Sequence, residues 1–164
     1  MTDADKGRLA GVAQRANFSW AVKGRLPGAE EETGLAVMAM PGRFNPVEDD
    51  LALLAALGVT ALVNLSGGPA DYPAAGLSVH DLPVVPMAAP SLDQMRAFCR
   101  IVDDRRAKGE RVAVHCVEGI GRAGVMGAAY MIHAGGMTAA DALALLRRTR
   151  RVGQTPAQER AVYA

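Results

Sequence analysis

Apolar and polar residues fall into blocks along this chain, and the spacing inside the blocks changes with position. Short runs at Phe18–Val22, Leu35–Met40, Ala61–Leu65, Leu77–Leu82 and Arg111–Val114 have the length and residue types of strands. Longer segments bring their apolar residues back at helical spacing. These are Val47–Leu57 with leucines at 51, 53, 54 and 57, Leu92–Lys108, Gly124–His133, Thr138–Arg148 and, roughly, Pro156–Tyr163. Pro46 suits a helix start and Gly109 a helix end, and Thr138 with Asp141 is a weak capping-box variant. Gly28–Gly34 reads as a solvated turn. Residues 1–16 are polar and read as an N-terminal arm or short helix leading into one domain over residues 17–164. Strands that feed helices, followed by a helical last third, predict an α/β fold whose central mixed, largely parallel sheet is flanked by helices.

One loop carries the chemistry. Between the strand at Arg111–Val114 and the helix at Gly124–His133 stands the run His115-Cys116-Val117-Glu118-Gly119-Ile120-Gly121-Arg122-Ala123-Gly124. Strand, Gly-rich loop and helix N-terminus together form an arrangement that holds anions. The glycines permit turns that aim successive N–H groups at phosphate oxygens. The backbone of Val117, Glu118, Gly119, Ile120 and Gly121 is therefore a candidate phosphate cradle. What separates it from an ordinary nucleotide cradle is the thiol at its base, because a field that attracts phosphate also stabilises a thiolate. Cys116 is expected to attack phosphorus and form a covalent thiophosphate. Arg122 offers a planar, charged fork that would hold two phosphate oxygens and the charge of the transition state. His115 is expected to hydrogen-bond the loop backbone and keep its shape. This chemistry needs no metal and no cofactor. The competing reading is a buried structural cysteine in a Gly-rich turn, with Arg122 on a solvated helix end. A bare Cys-x5-Arg occurs by chance, but the full string between an apolar strand and a helix is far more specific.

At these residues the chain resembles the cysteine-based protein tyrosine and dual-specificity phosphatases, in particular the small atypical dual-specificity and compact archaeal-type enzymes. His115 to Gly124 is similar to their signature loop. Asn17-Phe18-Ser19-Trp20 with Gly24-Arg25-Leu26 resembles their opening strand, and Leu57 to Leu65 the helix end and strand that follow. Gln154-Thr155 with Gln158-Glu159 is similar to their C-terminal segment, so the resemblance extends over most of residues 17–163. It implies the three-layer sandwich of that family, a phosphorylated protein or small phosphomonoester as substrate, and phosphate, sulfate or vanadate as ligands of the loop. It also implies that Gln154 or Gln158 positions the hydrolytic water.

Two departures from the family pattern stand beside these matches. The family's general acid is an aspartate on the loop before the helix that precedes the nucleophile strand. Here that loop is Pro83-Val84-Val85-Pro86-Met87-Ala88-Ala89-Pro90-Ser91, Pro86 takes the acid's place, and no carboxylate is present. Ala123 stands where the family carries a hydroxyl that helps the thiolate leave when water attacks. Asp71 and Asp81 are the candidate replacement acids, while Asp93 reads as a carboxylate at a helix start. Glu118, inside the cradle, should discourage polyanions. The run Arg147, Arg148, Arg150 and Arg151 reads as a solvated helix end, or as a basic rim of the cleft; the family has Pro-Gly where this chain has Arg150-Arg151.

Composition then narrows the partners. The chain has 164 residues, half of them apolar, and a net charge of +1, which suits one globular domain and gives no general attraction to nucleic acid. Its cysteines, Cys99 and Cys116, make no disulfide framework, and Cys99 falls on an amphipathic helix as a core residue. No apolar run reaches bilayer length, so no membrane partner is expected. The cytoplasm is the compartment expected for a working thiolate. The leading function is a metal-independent phosphomonoesterase. The alternative is a pseudophosphatase or phosphate-binding module, and sulfur transfer or arsenate reduction on a similar loop is a third class.

Overall fold

In the computed structural model, which describes residues 2–25, 32–68, 72 and 76–164, the elements run α1 Asp3–Arg15, β1 Ser19–Arg25, β2 Glu32–Met38, α2 Val47–Ala56, β3 Val59–Asn64 and β4 Ser78–Asp81. They continue with α3 Leu92–Ala107, β5 Arg111–His115, α4 Arg122–Gly135, α5 Ala139–Leu146 and α6 Pro156–Val162. The strands form a five-stranded sheet in the order β1-β2-β5-β3-β4. β1 is antiparallel to β2, and β2, β5, β3 and β4 are mutually parallel. The sheet is thus mixed and largely parallel, as the sequence pattern predicts.

Alternation along the strands divides the core between two faces. Leu35, Val37, Ala61, Val63, Val112 and Val114 are buried against Phe98 and Val102 of α3 and Met126 and Tyr130 of α4. Ala36, Met38, Leu62 and Ala113 face the other way, onto Ala16 and Leu54. β5 at the centre is buried on both faces, which explains its unbroken apolar run. α5 and α6 form a further cluster behind α4 through Val125, Leu143, Leu146 and Val162.

Residues 1–16, expected as an arm or short helix, carry the helix α1, and that helix is tied into the sandwich. Val12 and Ala16 are buried, the Asn45 amide donates to the Val12 carbonyl at 3.0 Å, and Arg15 Nε donates to Asn45 Oδ1 at 2.6 Å. Asn45 also donates to the buried Asp50, whose other oxygen accepts from Gly42 N at 2.8 Å. This polar knot sets the loop between β2 and α2. β2 begins at Glu32, inside the expected Gly28–Gly34 turn, whose residues 28–31 lie outside the described residues. α4 begins at Arg122, two positions before the expected Gly124. Only the forward half of the Thr138–Asp141 cap forms, at 3.1 Å, whereas Ser91 and Gln94 make a full capping box that starts α3. Among the described residues no helix is long and apolar enough to cross a membrane.

Candidate active site

Parallel strands end their ladders at one edge, and the loops that leave that edge gather the chemistry. β5 ends at His115, and the chain then turns through Cys116–Gly121 into α4. The turn is held from outside, carbonyl by carbonyl. His115 Nδ1 holds the Cys116 carbonyl at 3.0 Å, Met40 N that of Val117 at 2.9 Å, and Asn17 Nδ2 that of Glu118 at 3.2 Å. Arg150 Nη2 holds the Gly119 carbonyl, Gly153 N that of Ile120 at 2.9 Å, and Val125 N that of Gly121 at 3.1 Å. The amide N–H groups of Val117 to Arg122 donate to no described residue. Peptide groups whose carbonyls face out present their N–H groups inward. Those amides and the N-terminus of the long α4 stand beside Cys116, an arrangement able to hold an anion.

Glycine is required at Gly119, whereas at Gly121 a larger residue would have to displace two glutamine side-chain ends. Gly119 has φ +78°, and a Cβ there would lie 2.6 Å from the Met38 carbonyl carbon. A Cβ on Gly121 would lie 2.5 Å from Gln154 Oε1 and 2.8 Å from Gln158 Oε1.

Cys116 and Arg122 are both buried. Arg122 Nη1 donates to the Leu65 carbonyl at 3.2 Å and the Val84 carbonyl at 2.8 Å, in the loops that leave β3 and β4. Among the described residues its Nε and Nη2 hold no partner, leaving one edge of the fork for an oxyanion. His115 is fully buried, and burial pushes its imidazole down to about 4, so the ring is neutral at pH 7. Nδ1 faces a carbonyl and therefore carries the proton, which makes Nε2 the acceptor for Tyr72 Oη at 3.3 Å. Burial pushes Tyr72 up to about 12, so it stays a donor.

Both expected readings of the arginine run, a solvated helix end or a basic rim of the cleft, are corrected at Arg150. Its guanidinium is buried and donates to the carbonyls of Asn17 at 2.7 Å and Val37 at 2.6 Å, to Ser19 Oγ at 3.0 Å, and to Gly119. Burial lowers its pKa to about 10, which leaves it charged at pH 7, and the charge of Cys116 opposes that shift. Arg147 binds the Val152 carbonyl at 3.1 Å and Glu159 at 3.5 Å, while Arg148 and Arg151 are exposed. Asn17, Tyr72 and Arg150 hold this loop, a role that the sequence alone does not assign them. In a run of arginines nothing local marks the one that turns inward.

The loop that would carry the acid is fixed just as firmly. Its Pro83 carbonyl accepts from Gln94 Nε2 at 3.1 Å, Met87 from Thr155 Oγ1 at 3.3 Å and Ala88 from Gln158 Nε2 at 3.1 Å. Ala88 N closes a turn on the Val85 carbonyl at 3.1 Å, with Pro86 second and Met87 third at φ +64°. Proline followed by a positive φ marks a type II turn, so Pro86 fits the backbone locally. Asp71 lies outside the described residues. Asp81 is exposed at the end of β4, its Oδ1 accepting from Asn64 at 3.0 Å. It aligns with Asn64, which aligns with His115, so it stands roughly 9–10 Å across the sheet from β5.

The glutamines are divided. Gln158 is fully buried, its Oε1 accepting from Gln154 N at 2.8 Å and its Nε2 tied to Ala88. Gln154 is exposed, and its Nε2 donates to Glu118 Oε2 at 3.3 Å. Glu118 also pairs with Arg43 at 3.8 Å. Cys99 is buried on α3, and burial pushes its thiol up to about 11, which suits a core residue.

The chain belongs to the family described as "Polymorphic toxin system, DSP-PTPase phosphatase", whose model matches residues 36–136. It is 31% identical over 109 residues to the tyrosine-protein phosphatase cdcA of Emericella nidulans, covering 64% of this chain and 18% of that protein. It is 30% identical over 105 residues to the protein tyrosine phosphatase PRL-1 of Leishmania major, covering 57% of this chain and 60% of that one. The chain thus spans less than two thirds of either relative. Among solved structures, Tk-PTP in its active form matches with TM-score 0.68 and 27% identity over 78% of this chain and 88% of that one. A protein tyrosine phosphatase from Leishmania major matches in fold with TM-score 0.73 at 22% identity, over 90% and 97% of the two chains.

Proposed function

We propose that the chain is a phosphomonoesterase that works through a thiophosphate on Cys116, with aryl phosphates, phosphotyrosine in proteins among them, as its best substrates. The observation that carries this reading is the outward holding of the loop carbonyls, which frees the amides of Val117 to Arg122 around a buried thiol. The thiolate attacks phosphorus in line with the leaving oxygen. Cradle amides and the free edge of Arg122 take the equatorial oxygens, whose charge the transition state spreads. His115, neutral and fixed by Tyr72, positions the Cys116 carbonyl rather than moving a proton. Water then attacks the phosphoenzyme, releases phosphate and returns the thiolate.

The missing acid sets the substrate class. With no donor on residues 82–91 and none supplied by Asp71, the alcohol leaves as an anion, which a phenol with a pKa of about 10 does far more readily than a serine hydroxyl. Ala123 offers no hydroxyl to the departing thiolate, so breakdown of the phosphoenzyme should be the slower step. This supports a second reading, a phosphate-recognition module with weak turnover.

A rapid-mix time course with p-nitrophenyl phosphate separates the two, since that leaving group needs little protonation. A nitrophenol burst equal to the enzyme concentration, followed by slow steady release and lost in Cys116→Ser, is the expected result. No burst and no turnover, with vanadate still bound, would leave the recognition module as the better description. Turnover undiminished in Cys116→Ser would remove Cys116 from the mechanism.

A further inference from the structure

Breakdown of a phosphoenzyme calls for a base, because the attacking water must lose a proton as its oxygen bonds phosphorus. Among the described residues, His115 and Asp81 are poorly placed to take it. His115 is fully buried, with one ring nitrogen on the Cys116 carbonyl and the other on Tyr72. Asp81 is exposed at the end of β4, separated from β5 by the whole of β3. Glu118 is the one carboxylate in the run from His115 to Gly124. Its Oε1 stands 3.8 Å from Arg43 Nη2, and its Oε2 accepts from Gln154 Nε2 at 3.3 Å. Exposed contacts of this kind add little stability, but two of them give the side chain a direction. Gln154 is itself anchored at the loop. Its N donates to Gln158 Oε1 at 2.8 Å, and its Oε1 lies 2.5 Å from where a Cβ on Gly121 would stand. Gly121 caps α4 and immediately precedes Arg122. One amide group therefore joins the Glu118 carboxylate to the helix end beside which Arg122 and the cradle amides stand.

We infer that Glu118 is the general base of the second step, with Gln154 as the residue that positions it. The inference rests on the proposed thiophosphate on Cys116. Water attacks phosphorus on the side opposite sulfur, and its oxygen forms the new P–O bond while its proton passes to the Glu118 carboxylate. The P–S bond breaks, its electron pair returns to sulfur as the Cys116 thiolate, and Glu118 then gives the proton to solvent. With donors facing both oxygens, Glu118 presents an acceptor. It takes a proton from water and has none to give the departing phenol, so the base of the second step and the missing acid of the first are separate matters. Ala123 lends no hydroxyl to the departing thiolate, which makes help to the attacking water weigh more in this step.

A rapid-mix time course with p-nitrophenyl phosphate reads the two steps separately, the burst reporting formation of the phosphoenzyme and the steady release its breakdown. Glu118→Gln should keep the burst and vanadate affinity, or raise them slightly as a negative charge leaves the rim, and lower steady release by roughly 10²-fold. Steady release of the unaltered chain should rise with pH as the carboxylate loses its proton, and that rise should vanish in Glu118→Gln. Added formate should restore part of the steady release of Glu118→Ala, because a small carboxylate fits the space that the variant opens. Steady release unchanged in Glu118→Gln would overturn the base. So would a burst and a release that fall together with no rescue by formate, the pattern of a merely structural side chain. An unaltered chain that gives no burst removes the proposed thiophosphate and this inference with it, whereas a normal burst with an unaffected second step in Glu118→Gln removes this inference alone.

Discussion

The loops that follow β5 and β4 leave the same edge of the sheet, and both are clamped through their carbonyls, yet they differ in what they can do. After β5, clamping turns the amides of Val117 to Arg122 inward around Cys116. After β4, Gln94, Arg122, Thr155 and Gln158 hold the carbonyls of Pro83, Val84, Met87 and Ala88 just as deliberately. What that loop presents, however, is Val85 at 71% and Met87 at 53% exposure, with no group that can give up a proton. On the proposed reading, binding and nucleophilic attack are equipped, and among the described residues protonation of the leaving group is not. Architecture is a poor witness to chemistry in this loop, and a good one in its neighbour.

Restoring the acid is the largest change the comparison allows. Pro86→Asp combined with Ala123→Ser should raise turnover of alkyl phosphates by about 10²-fold or more, since a positioned general acid contributes roughly 10²–10⁴. The same pair should change nitrophenol release far less. Steady-state rates on both esters measure the contrast, and no rise on alkyl phosphates would mean that Pro86 does not occupy the acid's place or that the proton comes from elsewhere.

Removing the support of the β5 loop should be the next largest effect. Arg150→Met leaves the carbonyls of Asn17, Val37 and Gly119 without their donor and lets the cradle relax. Vanadate affinity and turnover should fall by roughly 10- to 10²-fold, with a loss of about 3 kcal/mol or more in urea unfolding. Unchanged vanadate binding in a destabilised protein would make Arg150 a purely structural residue. A smaller effect comes from pH. His115 titrates at about 4 folded, against an ordinary value of 6.5, so between those values the unfolded chain binds the proton first. Stability is then full above 6.5 and falls as pH drops toward 4, by roughly 3 kcal/mol in all. Unfolding midpoints at both ends of that window should show the slope, and His115→Asn should remove it.

Much of this contrast could be read from the residues. The strands of a buried parallel sheet announce themselves as apolar runs, and the loop from His115 to Gly124 is specific because thiol, glycines and arginine must share a narrow geometry. The empty acid loop was equally plain, since an absent carboxylate needs no folding to be noticed. What stayed hidden depended on long-range approach. Arg150 meets Asn17 and Val37 from far along the chain, and its sequence neighbours Arg148 and Arg151 are exposed. The docking of α1 through Asn45 and Arg15 is likewise a tertiary event that a polar N-terminus conceals. Asp81 looked available by sequence distance and is removed from β5 by the strand order alone.

The most direct test of a complete cradle beside a loop without a proton donor is a leaving-group series. Phosphate esters of phenols spanning a wide range of acidity would be compared by kcat/KM. A steep, linear fall in log kcat/KM is expected as the phenol becomes more basic, flattened by Pro86→Asp. A shallow dependence in the unaltered chain would contradict it, because some other group would then be supplying the proton.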